Sequence, residues 1–337
     1  MKKSALLTPI ALISVIVLVA GCWLRPYVPP VGFDSNEAVY VMNGGSETIS
    51  IIDIEEDTTY NDVTLTGRWP NQILLHDGKI YCVNSGANSI SIYNAASFEE
   101  ESPILLGNGQ NPMEILITDD DILYVSCMIS NSVLRIDLAT KAVTDTITVG
   151  ISPAGIVESN SKIYVTNTAV DASYAYGQGS VSILDAEAGT LLKTINTNMN
   201  PQDIAVDALG NIHVLCTGNY YSIFASLQVI DAGGDSITHT IEIGTSAGVL
   251  HIDKQNNKGY CGAWGKGCVV YSTESKTILN NAFLGKGGTG ITSDNEGNIW
   301  ISDFSSNKVY KCDASGTAID SFIVGGGPQS LIYHNDR

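Results

Sequence analysis

One short motif returns along the whole chain at nearly constant spacing: an aromatic residue followed by an apolar strand residue, as in Tyr-Val-x-Asn. The aromatic anchors are Tyr40, Tyr81, Tyr124, Tyr164, His213, Tyr260 and Trp300. The intervals between them are 41, 43, 40, 49, 47 and 40 residues. A period of this length predicts an array of similar supersecondary units.

Two further positions recur in register with the anchors. An inner position, usually a proline that is followed three residues later by Ile or Leu, precedes every anchor but the first and recurs once after the last: Pro70, Pro112, Pro153, Pro201, Ala247, Gly288 and Pro328. A polar position follows each anchor: Asp53, Asn94, Asp137, Asp185, Asp231, Thr273 and Asp313. With an outer segment such as "DTITVG", each repeat predicts four short strands, in agreement with the many Ile, Val, Thr and Tyr residues.

The two ends of the chain predict how the array closes. The chain enters on a Tyr-Val strand (38–43) and leaves on an inner strand (328–336). A single four-stranded sheet cannot bury both faces, whereas seven sheets arranged radially can. We therefore predict an all-β fold, a seven-bladed β-propeller of four-stranded blades over residues 38–337, closed when the C-terminal strand pairs into the first blade. A β-solenoid is the alternative, but it does not need this ending.

These repeats resemble a known family. "YVMN" (40–43), "YCVN" (81–84) and "YVTN" (164–167) are similar to the YVTN β-propeller repeats of bacterial and archaeal surface proteins. "VDALGNIHV" and "SDNEGNIWISD" resemble repeats of the related NHL, gluconolactonase and streptogramin-lyase propellers. The resemblance covers nearly the whole mature chain and implies a fold rather than an activity, because these motifs build blades while chemistry lies in loops.

The N-terminus has the pattern of a secretory signal. Lys2 and Lys3 precede an apolar run (5–20), and Cys22 follows Ala-Gly. This resembles the lipobox of bacterial lipoproteins, which implies a signal peptide over 1–21 and lipidation of Cys22. An ordinary membrane anchor is the alternative.

The segment after the cysteine predicts a location. Residues 22–37 are rich in proline and predict an extended, lipidated tether. Trp23 rather than aspartate follows Cys22, which resembles lipoproteins exported to the outer membrane of Gram-negative bacteria. We therefore expect a lipid-anchored protein of the cell envelope, in the outer membrane or at the cell surface.

The charge of the chain argues against nucleic acid as a partner. Without Lys2 and Lys3 the mature chain has 15 basic and 35 acidic residues, a net charge near −20. Such a chain repels phosphate backbones.

Six cysteines follow Cys22, and none forms a CxxC motif, so zinc or redox chemistry has little support. Cys261 and Cys268 flank a short turn and could form a disulfide across it. Buried free thiols are the other interpretation, because the cysteines lie in apolar strand patterns.

Two repeats are longer than the others, and both insertions lie between the second and third strands. The fourth repeat gains eight residues (in 168–179) and the fifth gains five (in 218–226). In a propeller these loops share one face with the loops that enter the inner strands. We expect both to project over one mouth of the central channel.

The loops of this face are unusually rich in large apolar side chains, which are typical of a surface that binds an organic ligand or a protein. Packing of the rings on one another is the alternative. The candidate ligand-binding residues of this kind are Trp69, Met113, Tyr174, Tyr176, Met199, Tyr220, Tyr221, Phe224 and Trp264.

Polar residues are predicted on the same rim, where cations beside rings could bind a phosphate or carboxylate. Ordinary solubilising charges are the alternative for each lysine. The polar candidates are Arg68, Asn71, Gln72, Glu114, Asn167, Gln202, Asp203, Lys266, Lys286 and Gln329.

Support for catalysis is thinner. Glu114 and Asp203 occupy equivalent positions, two residues after the proline. The resemblance to lactonase-like propellers implies that they could contribute to a divalent cation site in the channel, such as a calcium site. No complete ligand set can be identified, and His251 lies in an apolar strand pattern that favours a core position. We therefore predict no catalytic residue and no resident cofactor.

These observations favour binding over catalysis as the function. The architecture resembles that of surface proteins of gut Bacteroidetes that capture cobalamin for an outer-membrane transporter. We therefore expect a monomeric envelope lipoprotein that binds a bulky small molecule, such as a cobamide, or an envelope protein. A metal-assisted lactonase or lyase and a surface scaffold or adhesin are the alternatives.

Overall fold

The computed structural model describes residues 36–231 and 233–335, and these form 28 strands in seven four-stranded antiparallel sheets. This confirms the predicted all-β, seven-bladed propeller. Within the described residues there is no helix, and hence none that is long and apolar enough to span a membrane. The predicted signal peptide (1–21) and nearly all of the predicted tether (22–37) lie outside the described residues.

Strands follow the repeats closely, blade by blade. The first blade begins with β1 (Glu37–Asn43), β2 (Thr48–Asp53) and β3 (Thr58–Leu65). The second contains β4 (Pro70–His76), β5 (Lys79–Asn84), β6 (Ser89–Asn94) and β7 (Glu100–Leu105). The third contains β8 (Pro112–Ile117), β9 (Ile122–Cys127), β10 (Ser132–Asp137) and β11 (Ala142–Thr148). The fourth contains β12 (Pro153–Ser159), β13 (Lys162–Asn167), β14 (Ser180–Asp185) and β15 (Leu191–Asn196).

The remaining blades repeat the same order. The fifth contains β16 (Pro201–Val206), β17 (Ile212–Cys216), β18 (Ser226–Asp231) and β19 (Ser236–Glu242). The sixth contains β20 (Ala247–Asp253), β21 (Lys258–Ala263), β22 (Gly267–Ser272) and β23 (Ile278–Phe283). The seventh contains β24 (Ile291–Ser293), β25 (Ile299–Asp303), β26 (Lys308–Cys312) and β27 (Ala318–Ile323). The last strand is β28 (Pro328–Asn335).

The ring closes as predicted, because β28 is the inner strand of the first blade. It pairs antiparallel with β1, from Glu37 opposite Asn335 to Met42 opposite Ser330. The first and last described strands are therefore hydrogen-bonded to each other, and the ring leaves no inner edge open.

The aromatic anchors all lie on second strands and are buried. The two repeats without an anchor tyrosine have a separate partner for the ring. His213 Nε2 lies 3.2 Å from a carboxylate oxygen of Asp207, and Trp300 Nε1 donates to Asp294 over 3.0 Å. Both aspartates come six residues before the anchor, in the related Asp-x-x-Gly-Asn-Ile turn. This acceptor explains why these two repeats tolerate a ring N–H where the others have a tyrosine.

The predicted alternative of a disulfide between Cys261 and Cys268 is wrong. Cys261 pairs with Val269, and Cys268 pairs with Gly262, so the two thiols point to opposite faces of the sheet. One packs against the fifth blade and the other against the seventh. All six cysteines of the described residues are free and buried.

Candidate functional site

Both enlarged loops lie at the same mouth of the central channel. They join the second and third strands of the fourth and fifth blades, and their rings meet there. Tyr176 and Tyr220 have centroids 6.3 Å apart, with the rings inclined by 52°. Two neighbouring blades therefore present a pair of tyrosines over one opening.

A turn built on Asp171 shapes the loop of the fourth blade. Its Oδ1 accepts the Ser173 hydroxyl at 2.6 Å and the backbone N–H groups of Ser173 and Ala175 at 2.8 and 3.0 Å. These bonds, the hydroxyl's first, hold the pKa of the carboxyl below its usual value. Tyr174, with a φ of +62°, lies at the tip of the turn and is 85% exposed. The loop then returns with Tyr176 paired to Val170.

The loop of the fifth blade is held in a similar way by an asparagine. Asn219 Oδ1 accepts the backbone N–H groups of three residues, Tyr221, Ser222 and Ile223, at 2.9–3.1 Å. Such side-chain caps replace the hydrogen bonds of a strand ladder. Both loops therefore have internal structure of their own, which fixes where their tyrosines stand.

Beneath these loops the mouth of the channel opens into a cavity of about 570 Å³. Residues from the inner strand of every blade line it. This volume is in the range of sites for small organic ligands. Nine of the predicted residues are in the lining: Asn71, Gln72, Met113, Glu114, Tyr174, Tyr176, Gln202, Asp203 and Gln329.

Hydrogen bonds between neighbouring inner strands hold the cavity wall together. The position two residues after the inner proline projects an acceptor toward the next blade. Ser330 Oγ accepts the N–H of Ile73 at 3.3 Å, and Gln72 Oε1 accepts the N–H of Ile115 at 2.7 Å. The backbone donors that face the channel are thereby satisfied.

In two blades the same position is a carboxylate. Glu114 Oε2 accepts the N–H of Ile156 at 3.2 Å. Asp203 Oδ2 accepts the N–H of Leu250 at 2.6 Å. The two predicted acids thus perform the same inter-blade task as a serine and a glutamine elsewhere in the ring.

A glycine separates the two acids. Gly155 holds this position in the fourth blade, between the blades of Glu114 and Asp203. A Cβ there would lie 2.9 Å from Cγ2 of Ile204, so the two inner strands approach more closely than a side chain allows. With no acceptor from Gly155, the N–H of Ile204 donates to Asp203 Oδ1 at 2.7 Å.

The environment raises the pKa of both acids. Burial raises the pKa of Glu114 well above its usual value, and repulsion from Asp203 adds to the effect. Burial also raises the pKa of Asp203, to about 6, although two backbone N–H groups oppose this. Both carboxyls are partly accessible from the channel, yet protein surrounds the channel at this depth, so desolvation dominates. The two groups titrate as a pair.

The amides of the lining are partly engaged in the wall. Gln329 Nε2 donates to the carbonyl of Pro70 at 2.6 Å, and Asn71 Nδ2 donates to that of Pro112 at 3.0 Å. Their carbonyl oxygens therefore remain as the groups that can face a ligand.

The predicted cations lie outside the lining. The Arg68 guanidinium lies 4.6 Å from the centre of the Trp69 ring, and Lys286 Nζ lies 4.0 Å from that of Tyr310. Lys266 is in the turn between β21 and β22. Among the described residues that line the cavity there is no Lys, Arg or His, so the cations are not arranged to bind an anion there.

Other predicted residues lie on the rim or below it. Trp69 is 57% exposed outside the lining, and Trp264 packs on Phe304 with centroids 4.8 Å apart. Met199 and Phe224 line a separate cleft of about 330 Å³. The remaining rim residues outside the cavity lining are Tyr220 and Tyr221.

Asn167 is not on the rim. It is buried, and its Nδ2 donates to the hydroxyls of Ser180 and Ser182 at 3.1 and 3.0 Å. Asn84 bonds to Ser91 in the same way. The asparagine of the Tyr-Val-x-Asn motif therefore ties the second strand to the third, which is a structural task.

Sequence reasoning missed Asn200. This residue lines the cavity, is fully buried, and donates from Nδ2 to the carbonyl of Gly218 at 3.1 Å. Its Oδ1 has no hydrogen-bond partner among the described residues. The sequence contained one signal, since Asn200 directly precedes the inner proline Pro201. The structure explains the asparagine: the backbone of Asn200 has a φ of +58°, which asparagine tolerates.

The described residues give little support for metal binding or for histidine catalysis in this cavity. Within residues 36–231 and 233–335, no group of three or more His, Cys, Asp or Glu side chains could hold a metal ion. His251 Nε2 bonds to Ser293 Oγ at 2.9 Å between two inner strands, and burial lowers its pKa to about 4. It is a neutral histidine of the wall.

Comparisons with known proteins show the fold alone. No protein-family model matches the sequence, and no curated protein does. Among solved structures, hydrazine synthase from Kuenenia stuttgartiensis is similar with a TM-score of 0.66 and 15% identity, over 79% of this chain and 92% of that chain.

Two further solved structures are similar over most of their length. A putative 6-phosphogluconolactonase from Bacteroides uniformis has a TM-score of 0.67 and 13% identity, over 88% of this chain and 99% of that one. A protein of unknown function from Desulfotomaculum acetoxidans has a TM-score of 0.69 and 12% identity, over 89% and 99%. At such identities the likeness says nothing about ligand or activity.

Proposed function

We propose that this protein is a binding protein of the cell envelope that captures a small organic molecule in the mouth of its propeller channel. The observation that supports this most directly is the cavity of about 570 Å³, which lies under two tyrosine-bearing loops. A pre-formed cavity with few, fixed polar groups is the usual form of a small-molecule site.

The cavity also bears on the size of the ligand. A molecule of drug size fits inside it. A cobamide is too large to enter and would rest on the rim, against exposed rings such as Tyr174 and Trp69. We therefore favour a ligand smaller than a cobamide, or one that inserts only a side group.

The location of the protein is part of the same proposal. Lipidation at Cys22 would hold the propeller at a membrane through the tether of residues 22–37. A transporter or another envelope protein would then receive the ligand. The support for this is the pattern of the N-terminal sequence.

One observation favours a second candidate, an acid–base enzyme such as a lactonase. Glu114 and Asp203 are neighbouring carboxyls with raised pKa values, which is an arrangement that general acid–base catalysis uses. Among the described residues, the cavity lining contains no Lys, Arg or His that could bind a phosphorylated substrate. The candidate reaction is therefore hydrolysis of a neutral lactone.

Native mass spectrometry of the purified protein with vitamins, nucleotides, glycans and small amines tests the proposal. Tyr176→Ala removes a ring from the cavity lining and should weaken the bound compound about tenfold. Tyr221→Ala is the matched control, because that ring is 89% exposed and lies outside the lining. Failure of every compound to bind, or equal losses in both variants, would refute the site. Conversion of a neutral lactone during incubation would establish the second candidate.

A further inference from the structure

The cavity under the enlarged loops contains two carboxyl groups and, among the described residues of its lining, no basic side chain to pair with them. Its lining includes Glu114 and Asp203 and, among the described residues, no Lys, Arg or His. The nearest cations that sequence reasoning placed on this face, Arg68 and Lys286, lie over the rings of Trp69 and Tyr310. Bringing two like charges together away from a counter-ion is unfavourable.

The fold itself does not need these charges. The same inter-blade bond is made by the neutral Gln72 and Ser330, with acceptor distances of 2.7 and 3.3 Å. A carboxylate at 114 or 203 accepts the same kind of backbone N–H at a greater cost in desolvation. A costly group that has a cheaper equivalent in the same ring indicates a task beyond folding.

Glu114 retains an oxygen for that task. Its Oε2 is occupied by the N–H of Ile156, while Oε1 has no hydrogen-bond partner among the described residues. The Oδ1 of Asn200, on the same lining, is a second acceptor without a described partner. The lining therefore offers acceptors, which an N–H donor with positive charge would satisfy.

The apolar part of the lining suits an organic ion rather than a bare metal ion. Tyr174 and Tyr176 line the cavity, and the ring of Tyr176 is inclined to that of Tyr220. Met113 and Met128 add two thioethers to the wall. Tyrosine faces attract ammonium groups, and methionine adapts to apolar bodies of various shapes.

We infer that the cavity binds an organic cation, an ammonium group on an apolar body, with Glu114 as its counter-ion. This inference rests on the proposed function and names the ligand class of the same cavity. The ammonium group donates to Glu114 Oε1, and its apolar body lies against the tyrosines of the mouth.

Three probes that share a benzene ring but differ in charge test the inference. Benzylamine, benzyl alcohol and benzoate are titrated against the full chain at neutral pH by ligand-observed NMR. We expect protonated benzylamine to bind at least tenfold more tightly than benzyl alcohol, and benzoate not to bind. Tighter or equal binding of the alcohol or of benzoate overturns the inference without any variant.

Two variants test whether the preference for a cation depends on Glu114. Glu114→Gln keeps the acceptor for Ile156 and should bring the affinity for benzylamine down to that for benzyl alcohol. Glu99→Gln makes the same charge change on an exposed residue between the third and outer strands, at the opposite face, and should change nothing. Equal effects of the two variants, or none from Glu114→Gln, overturn the inference.

A calcium chloride titration tests whether the cavity binds a metal ion instead of an organic cation. Displacement of benzylamine by micromolar calcium would show a metal site and overturn the organic cation. If the alcohol or benzoate binds as tightly as benzylamine, in a manner sensitive to Tyr176→Ala, the inference fails while the proposed function stands. If no probe and no compound of the wider panel binds, both fail.

Discussion

Replacing Glu114 by glutamine should stabilise the protein at neutral pH, although it removes a hydrogen-bonding carboxylate from the wall of the channel. The N–H of Ile156 keeps an acceptor, because Gln72 performs the same task in the preceding blade. The variant loses the burial of one charge and the repulsion between Glu114 and Asp203. The balance therefore favours the amide.

The pH dependence of the effect follows from the raised pKa values. The pKa of Asp203 moves from 3.8 to about 6, and such a change corresponds to about 3 kcal/mol. Because the folded state holds its proton more tightly, this stability is present below about pH 4. It is lost as the pH rises to about 6. The pKa of Glu114 is raised in the same direction, by burial first and then by repulsion from Asp203. Removing this buried charge should therefore stabilise the Glu114→Gln protein at pH 8 by about 1–3 kcal/mol, which is the gain that replacement of a buried charge typically gives.

Urea unfolding at pH 4 and at pH 8 measures the gain. Wild type and Glu114→Gln should have nearly equal midpoints at pH 4, where the carboxyls are largely protonated, and the variant should be more stable at pH 8. Gln72→Glu is the matched control, since it adds a carboxylate at the same level of the preceding blade, and this variant should be destabilised at pH 8 only. A Glu114→Gln protein that is less stable at pH 8 than wild type would show that the charge is favourable in the fold, and the reasoning would fail.

Two further predictions concern the sheet packing and the N-terminus. Gly259→Ala should destabilise the protein by about 1–3 kcal/mol in urea, because its Cβ would clash with the Tyr271 ring. Gly326→Ala, whose Cβ meets nothing closer than 3.5 Å, should be neutral, and equal stability of the two variants would contradict the packing. Cys22→Ser should release the protein from the membrane fraction in cell fractionation, and unchanged association would indicate an ordinary membrane anchor instead of a lipid.

Much of the fold could be predicted from the sequence, because the information that specifies a blade is local. The spacing of the anchors predicts seven sheets, and the entry on a second strand with an exit on an inner strand predicts the closure that β28 and β1 make. Insertions between the second and third strands could likewise be assigned to one face, because antiparallel order alone decides it.

The candidate site could be predicted only in part. Nine of the suggested residues line the cavity, but Asn167 is buried between strands, and Arg68 and Lys286 lie on aromatic rings. A side chain near a loop can turn toward the channel, toward a neighbouring ring or into the sheet. The local sequence does not distinguish these directions, because the partners that decide between them come from elsewhere in the chain.

The repeat length, the blade count and the position of the long loops were thus determined by the sequence itself, since each depends on periodicity and strand order. The pairing of Glu114 with Asp203 across Gly155 was decided only by the tertiary structure. These two acids belong to the third and fifth blades, and their separation is set by how closely three inner strands pack. The two carboxyls come together only once the ring has closed around the channel, and the proposal of a cationic ligand depends on their proximity.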